Sequence, residues 1–546
     1  PRCFMMKGDS VVVVPVLICG EGAVYTMMVE QRRVIDGDFA LEFPAGGIDA
    51  DADEPKRAAC REVLEELGVL GQIESENFPK KYGATMVWGR DDTPWSWYFR
   101  ETNRTYPHAY QVSRPRFDQI LLDNAKSSGV DVRENCNVFE TLSDSESGAI
   151  HGVRYRRDSG IVESVEADFV MDASGQSALL ARSMNLRTWD TFFQNLAVYG
   201  YYHGAKRLPS PDETNIFIES YGQGWTWTIP LKDGLASVGA IVDSESAQAM
   251  LADIGPDEFL RQQISQTART NDMLSDAELT GAPRVVRDWS YTTNRMVGDG
   301  WILLGDAAFF VDPLFSSGVH LALMSAVMAA AYVHGAKTDP TLRVPAGQVY
   351  EQLYRKEYAH FRELARLFYA SNRTEESYYW QARRLLGDTN VGARESFIRA
   401  VAGQPPRGYE RSALSRGELP SEISEMFASV ASDKRLRDAT VAMGLPLNLV
   451  PRLAGEAKLE RRPIFAEGEF QWSVVLSSAT RPEGTPLSNF VAALVNLVDG
   501  KRNIGQILDR FTQGVEDSEQ IEQAHESMIN AISILYVDGA IDSLMG

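Results

Sequence analysis

At 546 residues, 44% apolar and 10% aromatic, the chain can form roughly three or four domains around a large buried core. A formal charge of -21 argues against nucleic acid or an anionic membrane surface as the main partner. Seven histidines and four scattered cysteines (Cys3, Cys19, Cys60, Cys136) are too few for a Cys/His metal cluster and suit a reducing, cytoplasmic compartment.

The chain begins at Pro1 with no cationic-then-apolar leader, as expected of a fragment or a processed chain. Residues 11–18 and 23–30 read as two strands around a Gly20-Glu21-Gly22 turn. After Leu41-Glu42-Phe43-Pro44-Ala45-Gly46-Gly47 comes a helix on which Glu62, Glu65 and Glu66 stand at i, i+3 and i+4, on one face. Three adjacent carboxylates repel one another unless a cation lies between them, and Mg²⁺ bridging to a diphosphate meets that need. A solvated acidic face is the alternative. The run from Gly47 through Asp53 to Arg61-Glu62-Val63-Leu64-Glu65-Glu66-Leu67-Gly68-Val69 resembles the Nudix box, with Asp53 where that pattern has Glu. The resemblance covers half a Nudix domain, over residues 1–68, and implies Mg²⁺-dependent cleavage of nucleoside diphosphate derivatives. From Leu70 the sequence changes character, and we place a junction between two unrelated segments at about residues 63–70.

Residues 80–89, Lys-Lys-Tyr-Gly-Ala-Thr-Met-Val-Trp-Gly, alternate through Thr85, Val87 and Gly89 as a strand entering the core, with Lys81 at its mouth. Arg114 opens a helix with Phe117, Ile120, Leu121 and Ala125 at helical spacing. A strand over residues 165–172 ends in Asp172-Ala173-Ser174-Gly175, where Gly175 lets backbone approach closely. Residues 196–203, 215–219, 225–231 and 235–242 read as an antiparallel sheet. On one of its strands Trp225 and Trp227 point to the same side, and Pro230 ends the pairing. Next comes Val285-Val286-Arg287-Asp288-Trp289. A short strand then runs from Trp301 to Leu304 between Gly300 and Gly305, with Asp306 at its carboxyl end, where open α/β sheets bind ligands. The loop after it carries Asp312, Pro313 and Ser316-Ser317-Gly318, and opens a helix whose first backbone N–H groups are free for an anion. The apolar tract 321–333 is expected to be a buried helix, too short to span a bilayer.

These strings resemble FAD-dependent monooxygenases, and within them flavin-dependent halogenases. The run 78–89 resembles the family's F-x-x-K-x-G-A-T-x-x-W-G segment, with Lys81 as its lysine; Gly224-Trp225-Thr226-Trp227-Thr228-Ile229-Pro230 resembles its W-x-W-x-I-P signature; residues 300–326 resemble its second flavin-binding signature. The fold implied is α/β, the FAD-dependent monooxygenase/halogenase fold (para-hydroxybenzoate-hydroxylase-like). It lacks its usual first βαβ unit, because no G-x-G-x-x-G follows a strand anywhere in the chain. The partial Nudix segment stands in its place. The resemblance implies FAD contacts from Arg114, Asp172, Gly175, Asp288, Gly305, Asp306, Pro313, Ser317 and Gly318. It also implies a chloride or bromide near the N–H groups of Ser317 and Gly318, a wall of Trp225 and Trp227 keeping organic substrate from the flavin, and capture of hypohalous acid by Lys81. Reduced FAD would come from a separate reductase, since no NAD(P)H fingerprint is present, and the substrate would be a small molecule, free or tethered to a carrier protein. A flavin hydroxylase, and a Nudix hydrolase or inactive chimera, are the alternatives.

The expected organisation is a Nudix-like segment at 1–68, the flavin and substrate region at 69–345, a helical region at 346–480 with helices to about residue 465, and a small helical module at 481–546. In that module Ile504, Ile507, Leu508 and Phe511 form one apolar face, and Ile532, Leu535 and Tyr536 another. It resembles small winged-helix-like modules that bind peptides or carrier proteins.

Overall fold

The hairpin expected at Gly20-Glu21-Gly22 is present: β2 (Ile18–Gly20) and β3 (Ala23–Tyr25) pair antiparallel, with Gly20 opposite Ala23. It lies between β1 (Phe4–Met6) and β4 (Ala40–Glu42). Beyond these four strands the computed structural model describes residues 63–65, 67–89, 92–101, 107–372, 445–466, 468–478, 484–514, 518–537 and 539–545. Asp53, Glu62 and Glu66 fall outside the described residues. Glu65 lies in a helical turn between the buried Leu64 and Leu67.

The strands before residue 68 join partners well beyond it. β4 pairs antiparallel with β8 (Ala109–Ser113), which also takes β5 (Lys80–Lys81) on its other side. β1 pairs in parallel with β9 (Asp131–Arg133). A parallel pair needs a long crossover rather than a hairpin, and more than a hundred residues separate these two strands. After β9 come β10 (Cys136–Ser143), β11 (Ile150–Arg157) and β12 (Val162–Glu166), an antiparallel meander with Cys136 buried as a free thiol.

The main sheet has seven strands. β6 (Gly83–Val87) and β7 (Trp95–Tyr98) form one edge hairpin. β14 (Arg187–His203), β15 (Ile216–Tyr221), β16 (Gly224–Pro230), β17 (Leu235–Asp243) and β18 (Glu278–Thr293) complete it in the order β18-β14-β17-β16-β15-β6-β7. The four segments read as strands from alternation are β14 to β17, with β16 between β15 and β17. Leu196, Val198, Val238, Ala240 and Val242 pack with Phe259, Leu260 and Ile264 of the helix Ser244–Ser265. β14 bulges between Trp189 and Gln194. The bulge is held by the buried Asp190, whose carboxylate accepts from Phe192 N (2.7 Å) and Arg362 Nε (2.5 Å).

A smaller sheet carries β13 (Val170–Asp172), β20 (Trp301–Leu303) and β19 (Val297–Gly298). β13 and β20 run parallel with Asp172 beside Leu303, so the turns that follow them lie side by side. The helix Gly318–Thr338 is long and apolar enough to cross a membrane by length and composition, but 72% of its most apolar window is buried within the protein. It is the buried helix expected over 321–333, and among the described residues no other helix meets that test.

The chain divides into two compact units, residues 1–334 with 350–417, and residues 335–349 with 418–546. In the second unit the expectation of helix to about residue 465 is corrected. β21 (Val450–Leu453), β22 (Lys458–Ala466), β23 (Glu469–Ser477) and β24 (Thr485–Leu487) are strands. The reason is local. Phe470, Trp472, Val474 and Val475 favour extended backbone, and Gly468, at φ 79°, stands just before β23, which pairs antiparallel with β22. The helical faces expected nearer the terminus are present: Ile504, Ile507, Leu508, Ile532 and Leu535 share one core, closed by β25 (Ile541–Met545) on β21.

Candidate active site

The two turns at the ends of β13 and β20 are built from their own side chains. Asp172 accepts from Ser174 N (2.9 Å) on one carboxylate oxygen and from Leu180 N (2.7 Å) on the other, so it shapes the turn containing Gly175. Burial pushes its carboxyl above the usual range, while these hydrogen bonds pull the other way. Gly175 and Gly305 sit at φ 60° and 51°, in the left-handed region that a side chain would disfavour. Asp306 is buried, and its carbonyl accepts from Tyr291 Oη at 2.6 Å. Burial, then the Asp306 charge, holds the Tyr291 phenol well above its ordinary range, so it remains a donor.

Arg187 completes this region. Its guanidinium stacks 4.1 Å from the Tyr291 ring centroid and donates from Nη2 to Gln176 O (2.7 Å). Its Nε and the Thr293 Oγ1, from residues paired across β14 and β18, are buried with no hydrogen-bond partner among the described residues. Open buried donors beside two glycine turns at the carboxyl ends of parallel strands fit the polar ribityl and phosphate edges of FAD.

The next loop begins at Asp312. One oxygen of its buried carboxylate accepts from Leu314 N (3.0 Å) and caps the short turn Pro313–Phe315, with Pro313 at its first position. Ser316 follows at φ 52°, a left-handed conformation held by a residue other than glycine. Ser317 is buried, and Gly318 begins the helix. Among the described residues the N–H groups of Ser317 and Gly318 donate to no backbone acceptor, and a Cβ built on Gly318 would meet no atom within 4 Å. N–H groups with no backbone acceptor, beside room at Gly318, suit a small anion.

Trp225 and Trp227 lie on one face of β16, ring centroids 6.1 Å apart. Gly239, opposite Trp227 on β17, leaves room for that indole: a Cβ there would stand 2.3 Å from Trp227 Cζ2. Trp225 Nε1 donates to Tyr369 Oη at 2.7 Å, and Tyr369 Oη donates to Asp312 Oδ2 at 3.1 Å. Asn195 Nδ2 reaches both, at 3.3 Å to Asp312 Oδ2 and 3.4 Å to Tyr369 Oη. The tryptophan strand and the loop of Ser317 and Gly318 are therefore brought together. Tyr369 and Asn195 gave no signal in the sequence; Asp312 was named there only as a loop residue, though an Asp directly before a Pro is a capping signal.

Lys81 is 3% exposed, with Nζ 5.5 Å from the Phe99 ring centroid, on the short strand paired with Ala109. Arg114 opens its helix as expected and is buried, its fork on Asp118 one turn later at 2.9 and 3.0 Å. Asp288 sits on β18 opposite Asn195, and its side chain lies outside the described residues. Among the described residues no group of three His, Cys, Asp or Glu could hold a metal ion; two of the three Nudix glutamates fall outside them.

Residues 87–431 match the family model described as tryptophan halogenase, and residues 8–116 match that of the NUDIX domain. The chain is 29% identical over 390 residues to tryptophan 2-halogenase of Chondromyces crocatus, covering 70% of this chain and 73% of that protein. It is also 29% identical over 337 residues to the 1H-pyrrole-2-carbonyl-[peptidyl-carrier protein] chlorinase of Pseudomonas fluorescens, covering 58% and 74%. Among solved structures, the flavin-dependent halogenase CmlS superposes with a TM-score of 0.63 at 28% identity, over 92% of this chain and 89% of its own. The myxobacterial chondrochloren halogenase CndH gives 0.59 at 32% identity, over 78% and 96%. The chain belongs to the tryptophan halogenase family. Its activity is that of a flavin-dependent halogenase, its cofactor is FAD, and halogenases of this kind draw on a flavin reductase.

Proposed function

We propose that this enzyme places chloride or bromide on an electron-rich carbon of a small natural-product precursor, free or held as a thioester on a carrier protein. The carrier-held form is supported by the named substrate of the Pseudomonas relative. FAD, when bound and reduced, supplies the activated oxygen that oxidises halide. The chain's own residues do the rest. Gly175, Gly305, Asp306 and the neighbouring Arg187 hold the cofactor, while Asp172, Arg114 and Pro313 fix the backbone around it, and Asp288 lies beside it. The N–H groups of Ser317 and Gly318 bind the halide without reorganising. Trp225 and Trp227 keep organic substrate on the far side. Lys81 takes the halogen from hypohalous acid as a haloamine, releasing water, or hydrogen-bonds the acid toward the substrate carbon. The organisation we propose is a Nudix-like segment at 1–68, the flavin and substrate region at 69–345, a linking region at 346–480 and a C-terminal module at 481–546.

The observation that carries this reading is the burial of Lys81. Lysine is almost never fully buried, and this one is held against an aromatic ring at a strand entrance. The test is direct: purified protein with FAD, a flavin reductase and bromide brominates an activated aromatic or enol probe, whereas a hydroxylated product in its place would establish the hydroxylase alternative. Comparing a pantetheine thioester with its free acid distinguishes the two substrate forms. A second prediction concerns the halide. Gly318→Ala puts a methyl group where no described atom lies within 4 Å, so the fold is undisturbed and the bromide KM rises about tenfold. An unchanged bromide KM would place the halide elsewhere.

One further observation favours a second activity, the NUDIX match over residues 8–116. Glu62, Glu65 and Glu66 would hold Mg²⁺ for nucleoside diphosphate cleavage. Such cleavage, if supported by the purified protein, is lost in Glu65→Gln while bromination persists.

A further inference from the structure

The hydrogen-bond chain from Trp225 to Asp312 can run in only one direction. An indole N–H only donates and a carboxylate only accepts. The Tyr369 hydroxyl between them therefore takes a hydrogen bond from Trp225 at 2.7 Å and gives one to Asp312 Oδ2 at 3.1 Å. Trp225, Tyr369, Asp312 and Asn195 are all buried, so water is not available to replace a lost partner.

Each end of this chain has a task in the function proposed above, on which the inference rests. At one end is the indole of the tryptophan wall. At the other, Asp312 uses its second oxygen to cap the turn that delivers Ser316 into its left-handed conformation, immediately before the N–H groups of Ser317 and Gly318. The aromatic contacts follow the same route. Phe368, next to Tyr369, stacks on Trp88 at 4.5 Å and packs on Phe315 of the capped turn at 5.8 Å. Trp88 in turn meets the Trp225 ring edge at 6.4 Å.

We infer that Tyr369 is a positioning residue for halide binding: its hydroxyl locks the tryptophan wall and the halide loop to each other through Asp312. It touches neither substrate nor halide. It fixes where the loop donors point, and hence how well they hold an anion that has no shape of its own to enforce the geometry.

The experiment compares wild type with Tyr369→Phe, which keeps the ring and its packing and removes only the hydroxyl. The expected result is a bromide KM about tenfold higher with kcat within about twofold, recovered at saturating bromide. The fraction of oxidised flavin that yields product falls at low bromide and returns at high bromide. A second readout needs no turnover. In the oxidised, FAD-loaded protein, the bromide concentration that produces a given rise in Tm increases about tenfold. Asp312→Asn is the second variant. An amide has one oxygen where the carboxylate has two, so it cannot accept from both Leu314 N and Tyr369 Oη, and the same KM shift follows. Unchanged bromide dependence in either folded variant overturns the inference. So does a loss of kcat that saturating bromide fails to restore, or failure of both variants to fold, since each would mean the network serves stability alone. Wild type run in parallel keeps the two readings apart. If it yields no halogenated product the proposed function falls, and the bromide-dependent Tm still decides the role of Tyr369.

Discussion

Lys81→Met is expected to abolish halogenation, by roughly a thousandfold or more (about 4 kcal/mol in the transition state), while the protein still binds FAD and its reduced flavin is reoxidised by O₂ at the wild-type rate. Methionine is the informative replacement because it keeps an unbranched apolar stem of similar length against Phe99 and removes only the amine. A smaller side chain would also open a cavity at a site that is 3% exposed, and a loss of stability would then mimic a loss of chemistry. The measurement pairs product formation with flavin reoxidation and hydrogen peroxide release. With the amine gone, oxidised halide has no path to substrate, so peroxide and free hypohalous acid account for the oxygen consumed. Should Lys81→Met halogenate the probe at a normal rate, the amine is not the halogen's route and the assignment fails.

The second large effect is on the fold. Glu219→Ala is expected to cost about 3 kcal/mol and to lower the apparent Tm by roughly 5–10 °C. Glu219 is buried in β15, and its carboxylate accepts four hydrogen bonds: from Ala268 N (3.1 Å), Arg269 N (3.0 Å), Thr270 N (2.7 Å) and Thr270 Oγ1 (2.8 Å). It caps the helix Ala268–Met273 from a strand some fifty residues earlier. Removing it leaves the first donors of that helix without their acceptor, and at the buried Thr270 neither the N–H nor the hydroxyl can turn to water instead. Glu219 also pairs with Thr226, between the two tryptophans of β16, so halogenation at elevated temperature falls in parallel with folding. Glu219→Gln keeps one acceptor oxygen, with about half the loss. A melting curve superimposable on wild type would show that the cap carries no net energy.

Much of the site was legible because it is written in short runs. Gly224-Trp225-Thr226-Trp227 places both indoles on one face by the two-residue period of a strand, and the structure has them 6.1 Å apart. The loop of Asp312, Pro313 and Ser316-Ser317-Gly318 was read as opening a helix, and the helix starts at Gly318. The strand, loop and buried helix over 301–338 follow from one apolar run, two glycines and one small-residue turn. The residues that failed to announce themselves act across long separations. Tyr369 meets Trp225 144 positions away. Arg187 reaches Tyr291 across two strands, and Asn195 bridges to Asp312. No local pattern encodes such contacts. The misread stretch, 450–477, failed for a different reason. Charged residues interrupt its alternation, as in Lys458–Ala466, where most side chains are exposed or half-buried and the face toward the core is narrow.

By itself the sequence determined the type of each element around the site and the chemistry available there: an amine at a strand entrance, an indole pair, a capped loop opening a helix. Those depend on periodicity and on side chains within a few positions of one another. Only the tertiary structure decided that Lys81 is buried rather than solvated, that the Asp172 carboxylate is occupied by the N–H groups of Ser174 and Leu180, and that the Arg114 guanidinium is occupied by Asp118. It alone decided that a tyrosine at the end of a distant helix joins the tryptophan wall to the halide loop. Burial and hydrogen-bond direction depend on what the rest of the chain brings to a side chain, and that is fixed when the sheet and helices pack.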